Sequence, residues 1–188
     1  MKLSKDRRVK GSVIIDYLKI IRANPDLPWA EHLTPSDLEQ LDQMILPSSW
    51  YPIDLFERIG IAIFKLVSKD NYDIVHSFGR MVGERINTEN PGLVVPDRPN
   101  DTLNKYLVIQ DRLYSFKFIE KGDSSPGQTI VHIHSEPEDQ GAPLLISSTS
   151  GTIERLIELS GARNIKFNLI ESVAKGADKN SLEVTWEK

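Results

Sequence analysis

The sequence predicts an α+β domain in which an N-terminal bundle of about four helices packs on a four-stranded antiparallel sheet, with the order ββαββ in the C-terminal half. Up to about residue 87, apolar residues recur at the three- to four-residue spacing of amphipathic helices. After residue 113 they alternate as in strands, with one further helical segment between two pairs of strands. The loops between these strands are short, which favours antiparallel pairing with the helices on one face.

The composition is that of a soluble globular protein. The chain has 188 residues, of which 39% are hydrophobic and 27% charged, enough for one domain with a real core. A net charge of -4 argues against nucleic acid as a partner, and the lack of cysteine excludes disulfides, thiolate metal sites and cysteine nucleophiles. No apolar run approaches the length of a membrane span or a signal peptide, so we expect a cytoplasmic protein.

The chain divides into four parts at this level. Residues 1–9 form a flexible basic arm, and residues 10–188 form a single domain. Within it we expect a helical part (10–87), a proline-rich crossover loop (88–101) and a sheet part (102–188). The second helix has a clear start signal, because Thr34 can cap it, Pro35 suits its first position and Asp37 can complete a capping box.

Two amphipathic helices lie between residues 48 and 86. Phe56 and Ile63 belong to the apolar stripe of the first, and Phe78 to that of the second. Gly79 and Gly83 are four residues apart on the second helix and therefore share one face. Each glycine costs about 1 kcal/mol of helix stability relative to alanine, which indicates either a close helix contact or the wall of a ligand site.

The first predicted strand of the sheet part is an alternating run, residues 114–119, which contains Tyr114, Phe116 and Phe118. Residues 122–127 read as a turn-rich loop that joins it to a second strand at 130–135. Residues 147–151 (SSTSG) then open a helix that Gly161 ends, and strands follow at 164–170 and 181–186.

This order resembles the ligand-binding fold shared by haem–nitric-oxide/oxygen-binding (H-NOX) domains, 4-vinyl reductase domains and the TRAPP vesicle-tethering subunits. Within that group the chain looks most similar to a myxobacterial-type bacterial family of unassigned function that is distantly related to H-NOX. The features that carry the resemblance are Val9-Lys10-Gly11 at the first helix, Trp50-Tyr51-Pro52 before a long helix, Phe78-Gly79 in the next helix, and the strand–strand–helix–strand end.

The resemblance raises the question of haem. H-NOX domains hold haem through a histidine just after the crossover and grip its propionates with a Y-x-S-x-R motif. Here residues 101–106 read DTLNKY, without a histidine, and residues 132–137 read HIHSEP, without the tyrosine and the arginine. Because an axial ligand is needed to hold haem, we expect no haem and no other cofactor.

Other candidate sites are better explained as ordinary structure. His132 and His134 lie on one face of a predicted strand and could bind a metal together with Glu136 or Asp139, but strand alternation alone explains the pattern. His76 and Ser77 are neighbours on a helix and do not face each other, so they predict no hydrolytic pair. Residues 147–151 could hold an anion at a helix start, although a serine-rich cap explains them as well. We therefore expect neither catalytic residues nor a metal site, and no enzyme.

The sequence thus favours a sensory or binding module with an apolar pocket between helices and sheet for a small hydrophobic or lipid-like ligand, reporting to a signalling partner. The resemblance and the spacing together assign eight residues to this pocket: Phe56, Ile63, Phe78, Gly79, Gly83, Tyr114, Phe116 and Phe118. The alternative is a protein-interaction or homodimerisation scaffold of the tethering-subunit type, with a vestigial pocket.

Overall fold

The computed structural model describes residues 7–135 and 141–187, which form two compact units. The first unit contains the described residues up to 72 together with 113–116, and the second contains residues 73–112 and the described residues from 117 onwards. The mixture of helices and antiparallel sheets confirms the predicted α+β class. No described helix is both long and apolar enough to cross a membrane.

The first unit is mainly helical. Strand β1 (Arg8–Lys10) leads into α1 (Gly11–Ala23), and α2 (Pro35–Asp42) is followed by β2 (Trp50–Pro52) and α3 (Ile53–Leu66). The short strands β1 and β2 pair antiparallel. Its core includes five apolar residues with at most 1% exposure, namely Val9, Ile14, Leu55, Ile59 and Ala62.

The start of α2 follows the predicted capping box. The backbone N–H of Asp37 donates to the Thr34 hydroxyl, and the Asp37 carboxylate accepts the backbone N–H of Thr34. The same carboxylate receives two hydrogen bonds from the Arg58 guanidinium, at 2.8 and 2.7 Å. A single buried carboxylate therefore ties the start of α2 to α3.

The second unit contains most of the sheet part. Helices α4 (Tyr72–Glu89) and α5 (Pro99–Leu113) precede the hairpin of β3 (Ile119–Ser125) and β4 (Gln128–Ile133), and α6 (Ala142–Leu159) precedes β5 (Arg163–Glu171) and β6 (Asn180–Glu187). The strand order is β3-β4-β6-β5, and every neighbouring pair is antiparallel. The predicted ββαββ order is therefore confirmed, with β5 and β3 at the edges of the sheet.

The first hairpin lies further along the chain than predicted. Residues 114–118 belong to no strand apart from one isolated bridge between Tyr114 and Val9, and β3 begins only at Ile119. The predicted loop 122–127 shrinks to a two-residue turn at 126–127, where Gly127 has φ 78°. A proline–glycine pair suits such a turn, because glycine accepts positive φ without strain.

Three other predicted boundaries also change. Val9 is fully buried in β1, so Arg8 and Val9, expected in the flexible arm, lie in a strand. The predicted crossover loop 88–101 is irregular only at 90–98, since α4 ends at Glu89 and Pro99 starts α5. Residues 147–151 lie in the middle of α6, so they neither open a helix nor offer free N–H groups to an anion.

Candidate functional site

Four of the predicted pocket residues lie in the first unit and are largely buried. On α3, Phe56 is 5% and Ile63 8% exposed, and the Phe56 ring packs edge-on against Tyr17 with centroids 4.9 Å apart. Tyr114 is 8% exposed and packs edge-on against the half-buried Phe116. The guanidinium of Arg7 covers the Phe116 ring at 4.2 Å, a cation–π contact. This unit thus holds four apolar or aromatic side chains of the kind that ligand sites use.

The other four predicted residues lie in the second unit. Phe118 is buried directly before β3, and Phe78 is half-buried on α4. Gly79 and Gly83 are buried on the same helix. The assignment of the eight residues to one pocket stays a prediction.

Gly79 and Gly83 lie at a very close contact between α4 and α6. A Cβ atom at Gly79 would be 2.0 Å from the carbonyl oxygen of Ser148, and one at Gly83 would be 2.9 Å from that of Thr152. From the opposite side, a Cβ at Gly151 would be 2.0 Å from the carbonyl oxygen of His76. The Thr152 hydroxyl donates across the contact to the carbonyl of Gly79 at 2.9 Å. Of the two explanations for the glycines, a close helix contact is the one that the structure contains.

Ion pairs flank this helix contact. The Arg80 guanidinium on α4 donates hydrogen bonds to the carboxylates of Glu154 and Glu158 on α6, at 2.7 and 2.8 Å. In the other direction, the Arg155 guanidinium on α6 donates a hydrogen bond to the carboxylate of Glu84 on α4 at 2.6 Å. His76 adds a contact of 2.9 Å between its Nε2 and Glu154. These paired charges, together with the small residues between them, hold α4 and α6 in one register.

A row of polar side chains crosses the second unit's sheet on the face away from the core residues Val131 and Ile133. The row contains one residue from each strand, at positions that pair directly with their neighbours. These residues are Glu120 on β3, His132 on β4, Ser181 on β6 and Glu171 on β5. We call these four residues the polar row.

Hydrogen bonds connect most of the polar row. The Ser181 hydroxyl donates to Glu171 at 2.5 Å, and Nδ1 of His132 lies 2.8 Å from the Ser181 oxygen. Because the Ser181 proton is used toward Glu171, Nδ1 of His132 carries the proton between them. Burial lowers the pKa of His132, and the nearby Lys179 acts in the same direction. Burial and Lys179 therefore favour a neutral imidazole, against the opposing effect of Glu120 and Glu171.

Gly122 makes room for this imidazole. A Cβ at Gly122 would be 2.6 Å from Nε2 of His132, so no larger residue fits without moving the ring. The neighbouring His134 has its Nε2 3.3 Å from Glu120 but outside hydrogen-bond geometry. The described residues contain no group of three or more side chains placed to hold a metal, and Glu136 and Asp139, the other ligands considered, lie outside the described residues.

The buried face of α5 lies where the resemblance expects a haem ligand. It carries Thr102, Leu103, Tyr106 and Gln110, and α5 has no histidine, cysteine or methionine. Burial raises the pKa of Tyr106, which disfavours the tyrosinate that would ligate iron. The four histidines of the chain lie elsewhere: His32 is exposed, His76 pairs with Glu154, and the other two lie on β4 or directly after it. The side chains present on α5 therefore do not fit haem.

Comparison with solved structures identifies the fold. An Fe(II) unliganded H-NOX variant from K. algicida matches 95% of this chain and 97% of its own, with a TM-score of 0.66 at 12% identity. The Fe(II)NO H-NOX protein from S. oneidensis has a TM-score of 0.61 at 11% identity, and an H-NOX variant from T. tengcongensis 0.63 at 14%; both match 95% of this chain and at least 98% of their own.

The chain therefore has an H-NOX-like fold, as the resemblance predicted. At these identities the likeness establishes the fold alone. No family model and no curated protein sequence matches the chain.

The sequence analysis missed the polar row, and it offered a close helix contact at Gly79 and Gly83 without identifying α6 as the partner. A signal for that partner was present, because the glycines of α4 have a counterpart in the small residues 147–152. The polar row depends on the register of four strands, and neither Ser181 nor Glu171 stands out in the sequence.

Proposed function

We propose that the protein is a non-enzymatic sensory or binding module that takes a small hydrophobic or lipid-like ligand and does not use haem. The observation that carries this proposal is the H-NOX-like fold combined with an α5 that has no histidine, cysteine or methionine. The neighbours from S. oneidensis and K. algicida are described as Fe(II) proteins, so a ligand site is the first expectation for this fold.

The donor set supports the part of the proposal that concerns haem. Histidine, cysteine, methionine and tyrosine are the usual protein ligands of haem iron. The chain has no cysteine, and Met44 and Met81 are 82% and 69% exposed. Tyr106 is buried on α5, and this burial raises its pKa and so favours the protonated form. An apolar ligand needs no such donor, only apolar surface of the kind that the predicted pocket residues provide.

The α4–α6 contact suggests how a bound ligand would be reported. Backbone contact and ion pairs hold the two helices together. A shift of α4 would therefore move α6 and the strand that follows it, β5. Packed elements of this kind move as rigid bodies and do not deform continuously. The signalling partner would then read the position of the helix pair.

Titration with a fluorescent fatty-acid analogue and, separately, with haem tests the proposal. We expect saturable binding of the analogue at one site per chain and no shift of the haem absorption band. Ile63→Val should weaken binding of the analogue, whereas Ile59→Val, one turn away on α3 and outside the predicted pocket, serves as the matched control.

Both substitutions remove one buried methylene and should cost about 1 kcal/mol of stability. Equal effects of the two on binding would contradict the assigned pocket. A haem complex with a sharp absorption band would contradict the haem-free proposal, and Tyr106→Phe would then show whether that residue is the ligand. Absence of any binding, together with a discrete dimer, would favour the interaction scaffold.

A further inference from the structure

The first unit exposes an apolar strip that the proposed function does not use. It consists of the side chains of Met44, Leu46 and Trp50, which are 82%, 50% and 39% exposed. They alternate with the buried Ile45 and the half-buried Ser49 in the segment that joins α2 to β2. We call this the Met44–Trp50 strip.

Backbone contacts hold the strip against α1. The N–H groups of Gly11 and Ser12 donate to the carbonyls of Ser49 and Pro47, at 2.9 and 3.0 Å. A Cβ at Gly11 would be 2.2 Å from the carbonyl oxygen of Leu46, so only glycine allows this approach. The segment is thus a fixed edge that runs beside α1, and its exposed side chains are displayed on a rigid support.

Cations lie at both ends of the strip. At one end, the Lys10 ammonium lies 4.0 Å from the centre of the Trp50 ring and donates to the carbonyl of Ser48. At the other end, Lys19 and Arg22 line a half-open groove of about 450 Å³ together with Met44 and Asp42.

The charged side chains named beside the strip include more cations than carboxylates, in a chain of net charge -4. The cations are Lys10, Lys19 and Arg22, and the carboxylates are Asp42 and Asp16, which pairs with Lys19. An exposed tryptophan beside a lysine, next to protruding apolar side chains, is the arrangement that suits a membrane–water interface. Such an interface accepts protruding side chains without a matching pocket.

We propose that the Met44–Trp50 strip docks the protein on an anionic lipid surface. Met44, Leu46 and Trp50 enter the interfacial layer, and the three cations bind headgroup phosphates. The docking is peripheral and reversible, because one short strip and three cations provide only a modest attraction. It is independent of the ligand proposed for the module.

Tryptophan fluorescence with vesicles tests this directly. Trp29 and Trp186 are each 7% exposed, so Trp50 is the tryptophan that reports the surroundings of the strip. We expect a blue shift on addition of vesicles of phosphatidylcholine with one-third phosphatidylglycerol at low salt, and no shift with phosphatidylcholine alone. Trp50→Phe should abolish the shift but leave most of the binding seen by co-sedimentation.

A matched pair of variants separates the strip from general apolar exposure. Met44→Asp should weaken co-sedimentation at least tenfold, whereas Met81→Asp, at the 69%-exposed position of α4, should leave it unchanged. Arg22→Glu should weaken it several-fold, and 0.5 M salt should do the same. Absence of binding to anionic vesicles, or an equal loss in both methionine variants, would overturn the proposal. A dimer that only Met44→Asp disrupts would overturn it in favour of a second copy of the chain.

Discussion

The substitution Gly79→Ala tests the contact between α4 and α6 most sharply. On an exposed helix the same change stabilises, because glycine costs about 1 kcal/mol relative to alanine. At Gly79 the new methyl group would lie 2.0 Å from the Ser148 carbonyl oxygen. Ordinary contacts of carbon atoms need about 3.5 Å, so the two helices must separate by more than about 1 Å.

The expected cost follows from what this separation breaks. Overpacking of a tight contact costs about 1 to 3 kcal/mol. The hydrogen bond from Thr152 to the Gly79 carbonyl stretches as well, which adds about 1 kcal/mol. Set against the gain in helix propensity, we expect a net loss of about 2 kcal/mol in the free energy of unfolding.

Gly60→Ala on α3 is the matched control. The nearest atom to a Cβ at Gly60 belongs to the Tyr17 ring, 3.8 Å away, which is an ordinary contact. There the propensity gain should prevail and raise the free energy of unfolding by about 0.5 to 1 kcal/mol.

Urea unfolding of the two variants and the wild type provides the measurement, with amide hydrogen exchange in α4 and α6 to locate the change. The contact as described requires opposite signs for the two substitutions. If Gly79→Ala stabilises the protein as much as Gly60→Ala does, α4 and α6 are not in backbone contact at this position.

Two further substitutions test electrostatics, and a third tests a steric requirement. The hydrogen bonds from Arg58 lower the pKa of Asp37 to about 2, so this carboxylate stabilises the fold above its ordinary pKa near 4. That stability, about 2 kcal/mol, is lost as the pH falls through the window from 4 to 2, and urea unfolding of Asp37→Asn should show a flatter pH dependence there. Burial lowers the pKa of His132, so protonation opposes folding and stability should fall as the pH drops below about 6.5. His132→Gln should remove that part of the pH dependence, as measured by melting temperature between pH 7.5 and 5. Gly122→Ala should displace the His132 ring, and its imidazole proton signals in an NMR spectrum should then shift, whereas unchanged signals would contradict the described packing.

The sequence predicted those features that depend on local chemistry. The capping box at Thr34 and Asp37 appears as expected, because all its atoms come from four consecutive residues. The apolar stripe predicted for α3 is also confirmed, since Phe56 and Ile63 are both buried at helical spacing.

The predictions that failed concern features that depend on contacts between segments far apart in the sequence. Residues 114–118 alternate like a strand, yet β3 forms from the more polar stretch that follows, because pairing with β4 decides where the strand lies. The Pro126–Gly127 pair was the better local signal for the turn. In α4, Phe78 of the predicted apolar stripe is only half-buried, while Gly79 and Gly83 are buried in a tightly packed contact with α6. Because glycine has no side chain, a helix contact made at glycines is not predicted by the spacing of hydrophobic residues.

For the same reason, the sequence predicted only part of the candidate site. The eight pocket residues come from spacing and from the resemblance, and the fold that the resemblance implied is present. The polar row needs the exact register of four strands before His132 meets Ser181 and Glu171.

Native mass spectrometry of the purified protein, recorded beside a denatured sample, tests the central claim most directly. A haem-free ligand-binding module predicts a mass excess of a few hundred daltons that disappears on denaturation and that organic extraction identifies as an apolar molecule. A mass excess equal to haem, with its absorption band, would contradict the claim.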